Sequence, residues 1–171
     1  MSSSPQLTPS SEKSTPVLAG YLDKHLPGPF ETLTHYANQV VEASDEAGIP
    51  RKTLELMNFR ASQINGCAFC LDLHHKRARK YGETEQRLAL LSAHAESGLF
   101  TKEEEVALEL VEEITTMSIS HPSPELFARA RDVYTEQQIA VLCMAAIGIN
   151  AFNRLSILSS HPVRVGKHAR G

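Results

Sequence analysis

The chain has 171 residues, 42% of them hydrophobic, and a formal net charge of −3 at pH 7, which fits one globular domain whose core needs no covalent staples. Lys and Arg are scattered rather than massed, so there is no electrostatic footprint for nucleic acid or an anionic membrane, and small molecules or proteins are the expected partners. Three cysteines, two of them three positions apart, are too few and too close for a secreted disulfide scaffold; the close pair reads as chemistry or metal.

No run approaches the ~18 consecutive apolar residues of a spanning helix, and the N-terminus lacks the basic and apolar regions of a secretory leader, so a cytoplasmic location is expected. Residues 1–16 are rich in Ser, Pro and Thr and nearly empty of large apolar residues. Such a segment cannot bury enough surface to offset its ordering entropy, and it reads as a disordered tail ahead of one helical domain over 17–171.

From Pro29, the spacing of Phe30, Leu33, Ala37, Val40 and Val41 follows one helical face, with Gly48 as a C-terminal stop before Pro50. Pro50 suits the first turn of a second helix, in which Leu54, Met57 and Ala61 share a side up to the turn Asn65-Gly66. The next run, from Cys67 to Lys80, ends at Gly82, with basic residues gathered where they favour the negative end of the helix dipole. This places the cysteines at the N-terminal end of a helix.

Thr101 with Glu104 and Thr135 with Gln138 have capping-box spacing, and Ser123-Pro124 marks a third helix start. The run Glu103-Glu104-Glu105 reads as a solvated helix beginning. The last helix, from Thr135 to about Leu158, is apolar on nearly all sides and is expected to be central or to bury a subunit contact. Cys143 within it reads as a small buried hydrophobe. No alternating β-branched strands bounded by hairpin turns occur, so the fold class is all-α, with about six or seven helices.

The residues that carry chemistry lie within a short span: Glu55, then Gly66-Cys67-Ala68-Phe69-Cys70, then His74. Helical residues three and four apart share a face, so Cys67 can meet Cys70, and Cys70 stacks one turn from His74. A thiolate at a helix N-terminus is stabilised by free backbone N–H groups and the dipole, and a neighbouring His can take its proton. One sulfur of such a pair can be oxidised to sulfenic acid while the other condenses with it to a disulfide. Glu55 can orient His74 if its helix returns alongside, completing a proton relay.

This pattern, a Glu twelve positions before the first Cys, then Cys-x-x-Cys, then a His four positions on, resembles the alkylhydroperoxidase AhpD-like core of the carboxymuconolactone decarboxylase family over about residues 51–82. The approach Ser62-Gln63-Ile64-Asn65-Gly66-Cys67 and the stretch from Asn150 to Leu155 look like the corresponding family segments. The resemblance implies a single-domain AhpD-like helical bundle, homo-oligomerisation through apolar helices, and reduction of organic hydroperoxides without a bound cofactor or metal. It also implies reducing equivalents from a dithiol donor protein, lipoyl-bearing or thioredoxin-like. By the same carry-over Cys70 is the peroxidatic thiol, Cys67 the resolving thiol that later meets the reductant, and Glu55 and His74 the relay.

One position departs from the best-known peroxidase members, which place a second His immediately before the second Cys, where this chain has Phe69. His75 is adjacent to His74 but points about 100° away on a helix of ~3.6 residues per turn. Other readings of the same residues are zinc held by Cys67, Cys70, His74 and His75, a redox-responsive stress protein that changes assembly without efficient turnover, and a carboxymuconolactone decarboxylase-type lyase. A lyase of that kind needs no cysteine pair.

Overall fold

The structure is a computed structural model, and it describes residues 19–163; the tail expected over 1–16 lies outside the described residues. These fold as α1 (Leu22–His25), α2 (Pro27–Glu46), α3 (Arg51–Asn65), α4 (Ala68–Lys80), α5 (Glu85–Ala89), a 3-10 turn (Leu91–Ala93), α6 (His94–Ser97), α7 (Lys102–Thr115), α8 (Pro124–Arg131) and α9 (Glu136–Leu158). The all-α class holds, and the six longer helices are those expected from periodicity and caps. The additional ones, α1, α5 and α6, have only four or five residues each, too few to show a repeat of ~3.6.

The caps explain where the long helices begin. Thr101 and Thr135 each form both halves of a capping box, with Glu104 and Gln138 respectively, and the Ser123 hydroxyl accepts from the Leu126 N–H. Each arrangement satisfies backbone donors that the first helical turn leaves without partners. The α3–α4 turn depends on Gly66, which adopts φ 68°, a left-handed conformation that side chains with a Cβ disfavour.

α3 is the hub, packed against α4, α7 and α9, while α9 also lies on α2 and α7. Leu54, Met57 and Ala61 of α3 meet Leu110 and Val111 of α7 and Leu142, Ala146 and Ile149 of α9 in the main core. Leu56 turns the other way into a second cluster with Ala78, Leu88, Leu91 and Leu108. By length and composition α9 is the one helix among the described residues that would also suit a bilayer, a feature that counting uninterrupted apolar residues passes over. Here it is a core helix on one side, while Met144, Ile147 and Leu158 remain exposed on the other.

Candidate active site

Two consecutive helices and a fixed turn assemble the site. At the end of α3, Asn65 Nδ2 donates to Asn150 Oδ1 and Asn153 Oδ1 on α9, both at 2.9 Å. Asn153 Nδ2 donates back to Ser62 Oγ at 3.1 Å, and Asn150 Nδ2 to Thr115 Oγ1 at 2.9 Å. Buried amides satisfied in this way hold one geometry, because any shift leaves polar groups desolvated without partners. The network pins the residues immediately before the dithiol to α9 and α7.

Cys67 is the N-cap of α4, and its Sγ accepts from the Cys70 N–H at 3.3 Å. The two cysteines form a disulfide, with Cα atoms 5.3 Å apart. Both are buried, Cys67 at 1% and Cys70 at 2% exposure, yet Cys70 lies on the wall of a large cavity that Cys67 does not line.

α3 returns beside α4 in an antiparallel pair, which brings Glu55 to His74. The His74 Nδ1–H donates to Glu55 Oε2 at 2.7 Å, with both side chains buried. A carboxylate only accepts, so this contact assigns the proton to Nδ1 and leaves the Nε2 lone pair as the acceptor of the pair. Both residues line the same cavity as Cys70. All four residues singled out from sequence therefore converge on one place.

The cavity has a volume of about 820 Å³ and lies among α2, α3, α4 and α9. His75 does not line it; its Nε2 donates to Glu85 Oε2 at 3.1 Å on the outer surface. Among the described residues no group of three or more His, Cys, Asp or Glu is set to hold a metal ion.

Sequence reasoning did not find the residues that surround Phe69. His161 packs on the Phe69 ring with centroids 5.2 Å apart, and its other neighbour is Tyr21 at 4.8 Å. Its Nε2–H donates to Asp23 Oδ1 at 3.1 Å. Desolvation pushes the Asp23 carboxyl up, but hydrogen bonds from His161 and Lys24 outweigh that and hold it below its ordinary value. A second His–carboxylate pair thus lines the cavity, beside the position where the family pattern has its extra His.

Two expectations need correction. Glu104 is not solvated: it is buried at 5% exposure and accepts from Arg87 Nη2 at 2.8 Å and from the Thr101 N–H at 3.0 Å. A helix-start carboxylate can serve the cap and a buried cation at once, which the run of three acidic residues conceals. Cys143 is half-buried rather than buried, and burial raises its thiol pKa.

The described residues form an all-helical domain in which a cysteine pair at a helix N-terminus, with a buried His–Glu pair beside it, opens on a cavity. The chain belongs to the carboxymuconolactone decarboxylase family, whose model matches residues 27–113, a span that contains Glu55, Cys67, Cys70 and His74. An uncharacterized protein of Bacillus subtilis, YdfG, is 46% identical over 112 residues, 66% of this chain and 76% of that protein. The alkyl hydroperoxide reductase AhpD of Streptomyces coelicolor is 33% identical over 91 residues, and the match spans 52% of this chain and about half (51%) of that protein. In shape, the chain is similar to a solved protein of unknown function from Agrobacterium tumefaciens, a candidate antioxidant-defence AhpD, with TM-score 0.74 and 31% identity over 83% of this chain and 96% of that one.

Proposed function

We propose that the chain is a dithiol-dependent peroxidase of the alkyl hydroperoxide reductase type, reducing organic hydroperoxides through a Cys67/Cys70 thiol–disulfide cycle. The observation that carries this reading is Cys70 on the cavity wall, one helical turn from a His74 whose tautomer Glu55 sets.

In the reduced protein His74 Nε2 takes the Cys70 thiol proton, and the Glu55 carboxylate balances the imidazolium that results. The Cys70 thiolate attacks the outer oxygen of the hydroperoxide; the O–O bond breaks, sulfur is oxidised to sulfenic acid, and the proton on His74 passes to the departing alkoxide to give an alcohol. The Cys67 thiol then attacks the Cys70 sulfenic acid, forming the disulfide and releasing water. An external dithiol protein, lipoyl-bearing or thioredoxin-like, supplies two electrons and two protons by exchange and leaves as its own disulfide. Cys67, whose Sγ the helix N-terminus already supports through the Cys70 N–H, is the sulfur that resolves and then meets this reductant; its burial requires local opening of the α3–α4 turn at that step. The exposed apolar side of α9 supports assembly into a homo-oligomer.

The test is direct. One equivalent of an organic hydroperoxide is added to fully reduced protein, the mixture is quenched within seconds, and disulfides are mapped by peptide mass. Rapid appearance of the Cys67–Cys70 disulfide is the expected result, and thiols that stay reduced would remove the peroxidase reading and favour a lyase activity.

A further inference from the structure

The cavity contains more than the reaction requires. Along α4, Cys70, Leu73, His74, Arg77, Lys80 and Tyr81 fall on one stripe, and all six face the cavity. The stripe begins at the sulfur and ends in cations. Their neighbours Lys76 and Arg79 pair with Asp72 and Glu85, whereas Arg77 and Lys80 form no ion pair among the described residues. Arg51, at the start of α3, joins this end over the Tyr81 ring at 5.7 Å. Its Nη1 is buried with no hydrogen-bond partner, and the nearest carboxylate oxygen, on Asp45, is 4.0 Å away. A buried guanidinium nitrogen without an acceptor, beside two unpaired cations, is the arrangement that a carboxylate ligand completes.

Leu54, Val41, Ile149 and Phe152, from α2, α3 and α9, give the cavity apolar wall beside the polar Glu55, His74 and Asn58. At ~1.5 Å per residue, Arg77 and Lys80 lie about 10 and 15 Å along the helix axis from Cys70. An extended hydrocarbon chain, with tetrahedral carbons about 1.5 Å apart, covers that distance in about eight to twelve carbons.

We propose that the substrate class of this site is a long-chain fatty-acid hydroperoxide, with its carboxylate on Arg77, Lys80 and Arg51 and its mid-chain peroxide at Cys70. The proposal rests on the peroxidase reading and adds what that reading leaves open, the part of the substrate that does not react. Binding of the remote carboxylate positions the peroxide, so the acid gains over its own ester in kcat/KM.

Two measurements on the full chain separate the failures. The first compares single-turnover rates for a linoleic acid hydroperoxide and its methyl ester in the native protein and in the double variant Arg77→Ala, Lys80→Ala. The acid is expected to react about tenfold faster than the ester in the native protein, and the ratio to fall to about one in the variant. Equal rates for acid and ester in the native protein would overturn the proposal. The second measures binding of oleate, which carries no peroxide, by calorimetry on the oxidised protein. Oleate is expected to bind, and about tenfold more weakly to the double variant. Oleate binding without any peroxide reactivity would remove the peroxidase reading while keeping a fatty-acid site; no oleate binding, as when a second copy of the chain covers the groove, would overturn the proposal.

Discussion

Two buried carboxylate clusters in this molecule use the same kinds of groups to opposite ends. In the first, Glu83 accepts from Arg87 Nε and the Thr84 N–H, both at 2.8 Å, while Glu104 accepts from Arg87 Nη2 and the Thr101 N–H. Lys52 approaches Glu104 at 3.6 Å, and the Arg87 guanidinium lies over Phe100 at 4.4 Å. Burial pulls the Arg87 pKa down, and its bonds to Glu83 and Glu104 more than reverse this, so the guanidinium stays charged. In the second, Glu55 has one partner, His74, and the pair faces a cavity. The first cluster has its polar atoms committed within the protein and acts as a scaffold. The second keeps a nitrogen and an oxygen available, which is what proton transfer to a substrate needs.

The largest effect that sharpens this contrast is at the sulfur itself. Cys70→Ser is expected to lower peroxide turnover by about a thousandfold or more, as removal of a nucleophile does, with little change in Tm. Next comes Arg87→Met, which leaves Glu83 and Glu104 buried without their cation; a loss of about 3–5 kcal/mol in denaturant unfolding is expected, while the folded fraction keeps its rate. Glu55→Gln reverses the pattern. Its amide can still contact His74 but cannot balance an imidazolium, so the rate of disulfide formation should fall about a hundredfold with Tm nearly unchanged. If Arg87→Met lowered the rate per folded molecule and Glu55→Gln lowered mainly the Tm, the division into scaffold and reactive pair would be wrong.

The same contrast explains what the sequence made legible. Glu55, Cys67, Cys70 and His74 stand on two consecutive helices joined by one turn, so helical spacing alone nearly places them together. The caps at Thr101, Ser123 and Thr135 are equally local, and all three form. His161 and Asp23 are 138 positions apart and meet only because α9 returns beside α1 and α2; no spacing rule reaches that far. The cavity has the same origin, since its walls come from α2 and α9 as well as from the motif helices. Glu104 was misread because a run of acidic residues looks alike whether its middle member faces water or a buried arginine.

Gly66 sets the turn between α3, which carries Glu55, and α4, which carries Cys70 and His74, and a substitution there is expected to have a moderate effect. No neighbouring atom lies within 4 Å of a Cβ added at Gly66, so the cost of Gly66→Ala comes from its φ of 68° alone, about 1–2 kcal/mol. Denaturant unfolding measures that loss. A much larger one would mean that the Asn65, Asn150 and Asn153 network unravels with the turn.

The smallest effect concerns the third thiol. Of the three cysteines, two are paired, so the oxidised native chain offers only Cys143 to a thiol reagent. Burial penalises its thiolate and raises the pKa above the ordinary 9.0, so the reactive form is scarce at neutral pH and increases as the pH approaches the raised value. The labelling rate is therefore expected to climb about tenfold per pH unit from about pH 7 to about pH 9 with no plateau, and to stay below that of an unperturbed thiol throughout. A plateau below the ordinary value would reveal a stabilised Cys143 thiolate. It would then have to be counted with the reactive cluster rather than with the packing of α9.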